Sequence, residues 1–315
     1  MKIAFLDTKT MGDIPNLKDL EKFGKVNYYA TTNPSETLGR CLDQDIVILN
    51  KVELDRSIIE KCAQLKLICV AATGTNNIDV TAAQEKGIRV KNVVDYSTNS
   101  VAQLTFAILL QLIHNVPYFN NYVKLSKYSR NDIFTHLGPS FSEIAGKRFG
   151  IIGLGNIGRQ VAKIAVAFGA EVVYYSTSGK NSNPEYPRLE LPEFLATCDI
   201  ISIHAPLNEH TRNLIAYPQL RQMKPTALLI NAGRGGIVQE ADLTQALNED
   251  LIAGAGLDVF EKEPIQADNP LLKITNPQKL VLTPHVAWSS REARTLLMEK
   301  VIQNIEQFLE GEAGT

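Results

Sequence analysis

Residues 147–176 read KRFGIIGLGNIGRQVAKIAVAFGAEVVYYS. The apolar run Phe149–Ile152 predicts a buried strand. It leads into Gly153-Leu154-Gly155-Asn156-Ile157-Gly158, after which apolar residues recur at helical spacing: Ile157, Val161, Ile164, Ala165 and Phe168. Gly169 stops that helix, and Glu171–Tyr175 predicts a second strand. A bare G-x-G-x-x-G also fits a flexible turn. The strand before it and the helix after it decide for a dinucleotide-binding unit. Gly153 allows the tight turn, Gly155 lets backbone approach a pyrophosphate, and Gly158 lets the helix close on the sheet. The helix start then offers N–H groups and a positive dipole end to phosphate.

One part of the fingerprint differs. The second strand of such a unit ordinarily ends in Asp or Glu, which binds the adenosine ribose hydroxyls. Here the position is Ser176, followed by Thr177-Ser178-Gly179-Lys180-Asn181. A carboxylate repels a 2′-phosphate, whereas hydroxyls and a lysine accept one. The expectation is an NAD(P)H site in which NADP(H) is tolerated or preferred; a polar loop that discriminates poorly is the competing reading.

Outward from this unit, 315 residues suggest two domains. A hydrophobic content of 44% with 21% charged residues fits a water-soluble globular chain. A net charge of −2 without a basic cluster argues against nucleic acid or an anionic membrane as partner. Cys41, Cys62, Cys69 and Cys198 are scattered without C-x-x-C spacing, so neither a disulfide frame nor a metal site is expected. The chain opens on the strand-like KIAFLD without a signal peptide, and the apolar run near 101–113 is interrupted by Gln103 and Gln111. A cytoplasmic protein is expected.

Before the glycine unit, strand candidates Ile3–Leu6, Val26–Tyr29, Ile46–Leu49, Leu67–Ala71 and Arg89–Asn92 alternate with helix candidates Leu17–Phe23, Ser57–Cys62 and Val80–Lys86. Such alternation predicts a second doubly wound parallel sheet, α/β like the first. Its loop Ala72–Asp79 follows a buried strand and is suited to aim N–H groups at a carboxylate, although from this segment alone an ordinary turn leading to a helix is the better reading. A long apolar helix, Val101–His114, ends or bends at Pro117. The stretch Pro117–Ser142, rich in Tyr, Asn and Ser, reads as an arm that packs on another subunit, with His136 in a polar loop without chemistry.

Beyond the unit, helices are expected at Leu189–Leu195, Leu214–Met223 and Ala241–Leu247. Strands are expected at Asp199–Leu207 (ending in a His204-Ala205-Pro206 turn), Ala227–Gly236, Ala253–Phe260 and Leu280–His285. Arg234, Asp258, Glu263 and His285 therefore fall at or just past strand C-termini, on the sheet edge that holds the dinucleotide. Singly, each is ordinarily a loop, surface or packing residue. Together they make a redox site: arginine forks a carboxylate, histidine exchanges protons near neutral pH, and a nearby carboxylate stabilises the imidazolium. His204 is assigned to the cofactor pocket wall, and His114 and His210 to structure.

The chain at this point resembles the D-isomer-specific 2-hydroxyacid dehydrogenases. The resemblance rests on ATGTNNID (72–79), SVAQLTFAILL (100–110), GIIGLGNIGR (150–159), SIHAPL (202–207), NAGRGGIV (231–238), AGLDVFEKEP (255–264) and LTPHVAW (282–288). It implies that Arg234 binds the substrate carboxylate and carbonyl oxygen, that His285 protonates that oxygen as hydride arrives, and that Glu263 pairs with His285. Thr73 and Gly74 would offer N–H groups to the carboxylate. Asn156 and Ile157 would cover the pyrophosphate, and Ala205, Pro206, Ala232 and Asp258 would line the nicotinamide side. The implied architecture is a Rossmann cofactor domain, residues 99–286, inserted into a flavodoxin-like substrate domain formed by 1–98 and 287–315. A cleft that closes on the cofactor, a homodimer and a small 2-keto or 2-hydroxy acid as substrate are also implied.

Within the family the wording resembles the glycerate dehydrogenase, or hydroxypyruvate reductase, branch, through HVAW (285–288), YYSTSGKN (174–181) and ICVAATGTNNID (68–79). Trp288 is placed to cap a small pocket. Formate dehydrogenase relatives carry glutamine where this chain keeps Glu263, and the regulatory domain of long phosphoglycerate dehydrogenases is not expected here. Hydroxypyruvate or glyoxylate is the expected substrate, with pyruvate and phosphohydroxypyruvate as alternatives. A dinucleotide-sensing, corepressor-like binding protein is the reading from another class. A pure sensor has no use for the complete Arg, Glu and His set.

Overall fold

The computed structural model describes residues 1–180 and 183–313; Asn181 of the loop after Ser176 lies outside them. The chain divides into two compact units, Met1–Ser97 with Ser289–Thr315, and Thr98–Trp288.

The first unit holds β1 (Lys2–Phe5), β2 (Lys25–Tyr28), α1 (Pro34–Cys41), β3 (Ile46–Leu49), α2 (Arg56–Ile59), β4 (Leu67–Val70), α3 (Val80–Glu85) and β5 (Arg89–Lys91). All pairings are parallel, in the order β2-β1-β3-β4-β5. This is the flavodoxin-like order. The central strands read IVIL and LICV and are buried at every position, as strands covered on both faces must be. The C-terminal helix Arg291–Ala313 packs on β4, burying Leu297, Val301, Ile305 and Phe308 at three- and four-residue spacing. Leu17–Phe23, expected as an α-helix, is a 3₁₀ helix that buries only Leu20. Without an apolar stripe to dock, nothing favours the wider coil. The helix α1, which apolar periodicity did not mark, is set instead by its start, where Asn33 and Glu36 form a capping box.

The second unit opens with α4 (Thr98–His114) and α5 (Val116–Lys124). There follow β6 (Arg148–Ile152), α6 (Asn156–Ala167), β7 (Glu171–Tyr175), α7 (Leu191–Thr197), β8 (Ile200–Ile203), α8 (Tyr217–Leu220), β9 (Leu228–Asn231), α9 (Glu240–Asn248), β10 (Gly254–Leu257) and β11 (Leu280–Leu282). The sheet is parallel, ordered β11-β10-β9-β8-β6-β7. An isolated parallel bridge between Tyr174 and Arg188 adds one more segment outside β7. With it, the order from that edge is third, second, first, fourth, the Rossmann arrangement. The order reverses between β6 and β8, and the glycine turn leaves from β6 at that point.

Of two helices expected here, one is shifted along the chain and the other is shorter than its apolar spacing suggested. Leu189 is taken up by pairing, its N–H donating to Tyr174 O at 2.9 Å, so α7 starts at Leu191. Ile215 pairs with Val238, which leaves α8 only Tyr217–Leu220. In the arm, α4 and α5 meet at 59° around Asn115, a left-handed residue. Pro117 sits in the first turn of α5, where its missing N–H costs nothing. His136 stacks flat on Tyr122, with ring centroids 3.7 Å apart, and its Nε2 lies 2.9 Å from the Tyr118 hydroxyl. Phe134 (89% exposed) and Leu137 (79%) project from the same arm. The four cysteines are buried and free, and no single described helix is long and apolar enough to cross a membrane.

Candidate active site

The glycine turn is built as tightly as its sequence requires. Gly153 has φ +90°, and a Cβ there would lie 2.8 Å from Ala205 N. A Cβ on Gly158 would lie 2.3 Å from Gly153 O. Gly155, in contrast, has nothing within 4 Å of its Cβ position. It is the N-cap of α6, and a glycine offers no side chain to cap the helix. The turn therefore presents an open backbone cradle at a helix start, the arrangement that binds phosphate. Asn156 and Ile157 form the first turn of α6. Arg159 folds back over the cradle, donating to Leu154 O (3.3 Å) and Asn156 Oδ1 (3.0 Å). The sequence reading had not singled out this cation.

Two buried polar atoms at the same strand edge have no hydrogen-bond partner among the described residues: Ser176 Oγ past β7 and His204 Nδ1 past β8. Orphans of this kind are costly unless something bound answers them. Together with the open cradle at Gly155 they fit a dinucleotide. The other ring nitrogen of His204 contacts Ser202 Oγ at 2.8 Å, and burial pushes its pKa down to about 3. Burial thus keeps the His204 ring neutral. Ala205 is buried against the turn, Pro206 O accepts from Thr211 Oγ1 at 2.7 Å, and Ala232 packs with Val101 and Ala287.

Arg234 follows β9 and is held by Asn231, a residue given no role from sequence. Asn231 is buried; its Oδ1 accepts from Gly233 N (3.0 Å) and its Nδ2 donates to Arg234 O (2.9 Å). The guanidinium donates to Gly233 O at 2.8 Å. His285 follows β11 with φ +54°. That conformation turns the histidine out of the strand line, and for a non-glycine residue it needs support. Asp258 supplies it. Its carbonyl accepts from His285 N (2.8 Å), and its carboxylate accepts from Thr283 Oγ1 (2.6 Å), Val286 N and Ala287 N (2.9 Å each). Burial raises the Asp258 pKa, while these donors pull it back down. Asp258, read as a nicotinamide-side residue, has both carboxylate oxygens engaged in shaping the histidine loop.

Glu263 Oε2 lies 2.6 Å from His285 Nδ1, and Oε1 accepts from Phe260 N at 3.0 Å. With one oxygen anchored, the other is aimed. Its loop is fixed in turn by Glu240, buried at the start of α9, which accepts from Glu261 N (2.7 Å) and Asn269 Nδ2 (2.6 Å). Nothing in a short helix-start run such as QEADL distinguishes this acid from a solvated one. Arg234, Glu263 and His285 thus share the strand edge of the glycine turn.

Thr73 and Gly74 belong to the first unit, past β4. Thr73 Oγ1 donates to Val93 O (3.0 Å), and Asn92 Nδ2 donates to Thr73 O (2.7 Å). The loop is pinned through its hydroxyl and carbonyl.

Comparison with known proteins agrees with this geometry. Residues 106–287 match the family described as D-isomer specific 2-hydroxyacid dehydrogenase, NAD binding domain. The chain is 38% identical to a hydroxypyruvate reductase of Blautia hydrogenotrophica, over 99% of this chain and 98% of that protein. It is 35% identical to a glycerate dehydrogenase of Methylorubrum extorquens, over 98% and 96%. Among solved structures, an acyclic imino acid reductase (Bsp5) in complex with NADPH and D-Arg superposes with a TM-score of 0.85 at 32% identity, covering 99% of this chain and 98% of that one.

Proposed function

The chain belongs to the D-isomer-specific 2-hydroxyacid dehydrogenase family, oxidoreductases acting on CH–OH groups with a nicotinamide dinucleotide, and we propose that its reaction is reduction of hydroxypyruvate to D-glycerate, with glyoxylate as a second substrate. The observation that carries the reading is the 2.6 Å contact between Glu263 and His285 on the edge where the glycine turn opens. Sensing a dinucleotide needs no aimed proton donor.

Each residue has a role in this reading. The Arg234 guanidinium holds the substrate carboxylate and also polarises the carbonyl; Thr73 and Gly74, in the other unit, carry amides of the kind that bind a carboxylate. Protonated His285 donates its Nε2 proton to the carbonyl oxygen, and in the reverse direction neutral His285 takes the hydroxyl proton. Glu263 orients the ring through Nδ1 and stabilises the imidazolium, so that Nε2 faces the substrate. The nicotinamide, when bound, supplies or accepts the hydride. Gly153, Gly155, Gly158, Asn156 and Ile157 would hold its pyrophosphate, and His204, Ala205, Pro206, Ala232 and Asp258 would border its nicotinamide end.

Both NADH and NADPH serve as cofactor in this reading, since Ser176 stands where an acid would exclude the phosphate. The working form is a cytoplasmic homodimer. The apolar side chains exposed along the arm, Val123, Leu125, Ile133, Phe134 and Leu137, support burial against a second copy.

The test is steady-state oxidation of NADH and NADPH by the purified protein with hydroxypyruvate, glyoxylate, pyruvate, 2-oxoglutarate and phosphohydroxypyruvate. Highest kcat/KM with hydroxypyruvate is expected. Another keto acid in first place would reassign the substrate; dinucleotide binding without turnover on any of them would favour the sensor.

A further inference from the structure

The chain reverses at once after β7. Gly179 N donates to Ser176 O at 3.2 Å, and Gly179 takes φ +68°. The Tyr174–Arg188 bridge returns the chain to this turn, and Arg188 Nη1 donates to Gly179 O at 2.9 Å. Arg188 lies twelve positions beyond Ser176 in sequence, so only the pairing outside β7 brings them together. Around the turn stand a buried serine hydroxyl without a partner among the described residues, the Arg188 guanidinium and the adjoining Lys180. The acid in contact with this group is Glu190, whose Oε1 lies 3.5 Å from Arg188 Nη2. Glu190 is 79% exposed, and a loose pair at that exposure is weak. Among the described residues two of the five guanidinium N–H donors are engaged.

We propose that Arg188 is the residue that reads the 2′-phosphate of NADPH, with Ser176 Oγ as a second donor, and that this pair sets the cofactor preference. The proposal rests on the dinucleotide reading above and names the group that selects the cofactor. A guanidinium presents parallel N–H groups that match a phosphate, which a lysine ammonium does not. Its tie to Gly179 O holds the fork beside the turn before any ligand arrives, lowering the ordering cost of binding. A ribose with two free hydroxyls finds no carboxylate here and gains less.

The experiment measures equilibrium binding of NADPH and NADH by nicotinamide fluorescence, and of 2′,5′-ADP against 5′-AMP by calorimetry. Wild type, Arg188→Ala, Arg188→Lys and Ser176→Asp are compared. In Arg188→Ala the NADPH-to-NADH affinity ratio is expected to fall about tenfold or more, with the 2′,5′-ADP preference falling in parallel and Arg188→Lys recovering part of both. Ser176→Asp should invert the ratio. An unchanged ratio in Arg188→Ala, including equal weakening of both dinucleotides, would overturn the proposal and leave Arg188 a loop brace. Wild type that binds NADH tightly and 2′,5′-ADP no better than 5′-AMP would also overturn it while the dehydrogenase reading stands. Wild type that binds neither dinucleotide would overturn both.

Discussion

Gly235, the residue after Arg234, lies so close to Phe260 that a Cβ there would sit 1.8 Å from the Phe260 carbonyl oxygen. Phe260 N in turn donates to Glu263. The arginine turn and the glutamate loop are therefore set against each other backbone to backbone, and no side chain can shift out of the way. Gly235→Ala must move one of them. A displacement near 1 Å at a reacting group costs about 100-fold in rate, so kcat/KM should fall about that far. Dinucleotide affinity, measured by fluorescence titration, should stay near normal because the cradle at Gly155 is remote in sequence and separately braced. Near-normal kcat/KM would show that the two loops move independently.

The Glu263–His285 contact predicts a split between two variants. His285→Ala should lose nearly all turnover while still binding the dinucleotide, because the proton has no other donor. Glu263→Gln keeps the shape and loses the charge. The amide still orients the ring but puts no negative charge beside an imidazolium. Reduction should slow, with kcat down about 10- to 100-fold at neutral pH while dinucleotide affinity is kept. A near-normal kcat would leave Glu263 a purely structural residue.

Arg234→Lys tests whether the fork or only the charge matters. An ammonium cannot make two parallel bonds to a carboxylate. The KM for the keto acid should rise, and kcat/KM should fall about 100-fold, since both carboxylate holding and carbonyl polarisation weaken. If lysine restored most of kcat/KM relative to Arg234→Ala, planar recognition would not be part of the site.

Glu240→Ala removes the acceptor of Glu261 N and Asn269 Nδ2. Leaving such groups unpaired costs about 1–3 kcal/mol. Urea unfolding should register that loss, and kcat should drop about tenfold as the Glu263 loop loosens. Glu240→Gln, which keeps one acceptor, should recover part of both. A stability loss without any change in kcat would mean that Glu263 is held well enough by Phe260 alone.

Most of the architecture was legible because its signals are local. The strand–turn–helix unit, the short apolar strands and the alternation that makes them parallel all sit within a few residues of each other, and chain order alone placed Arg234, Glu263 and His285 past strand ends. The unreadable parts depend on pairing between distant segments. Leu189 and Ile215 lie in stretches with helical apolar spacing, but backbone partners at Tyr174 and Val238 claim them. The same cause hid Arg188. Asn231, Glu240 and the anchoring role of Asp258 were invisible for another reason: a polar residue that holds a loop has no composition of its own, and only its buried partners distinguish it from a solvated one.

His204 carries the last prediction, on stability. Burial pushes its pKa down to about 3, whereas a histidine in the unfolded chain titrates near 6.5. As pH drops through about 6.5, the unfolded chain takes up a proton that the folded chain refuses, so folding stability falls. The loss continues until the pH nears the folded value and then levels off. His204→Gln keeps a group able to hydrogen-bond Ser202 and removes the titration. Urea midpoints of the dinucleotide-free protein between pH 4 and pH 8 should therefore decline less steeply toward acid in the variant than in wild type. Identical slopes would mean that the His204 ring reaches water in the folded protein and takes up its proton there as well.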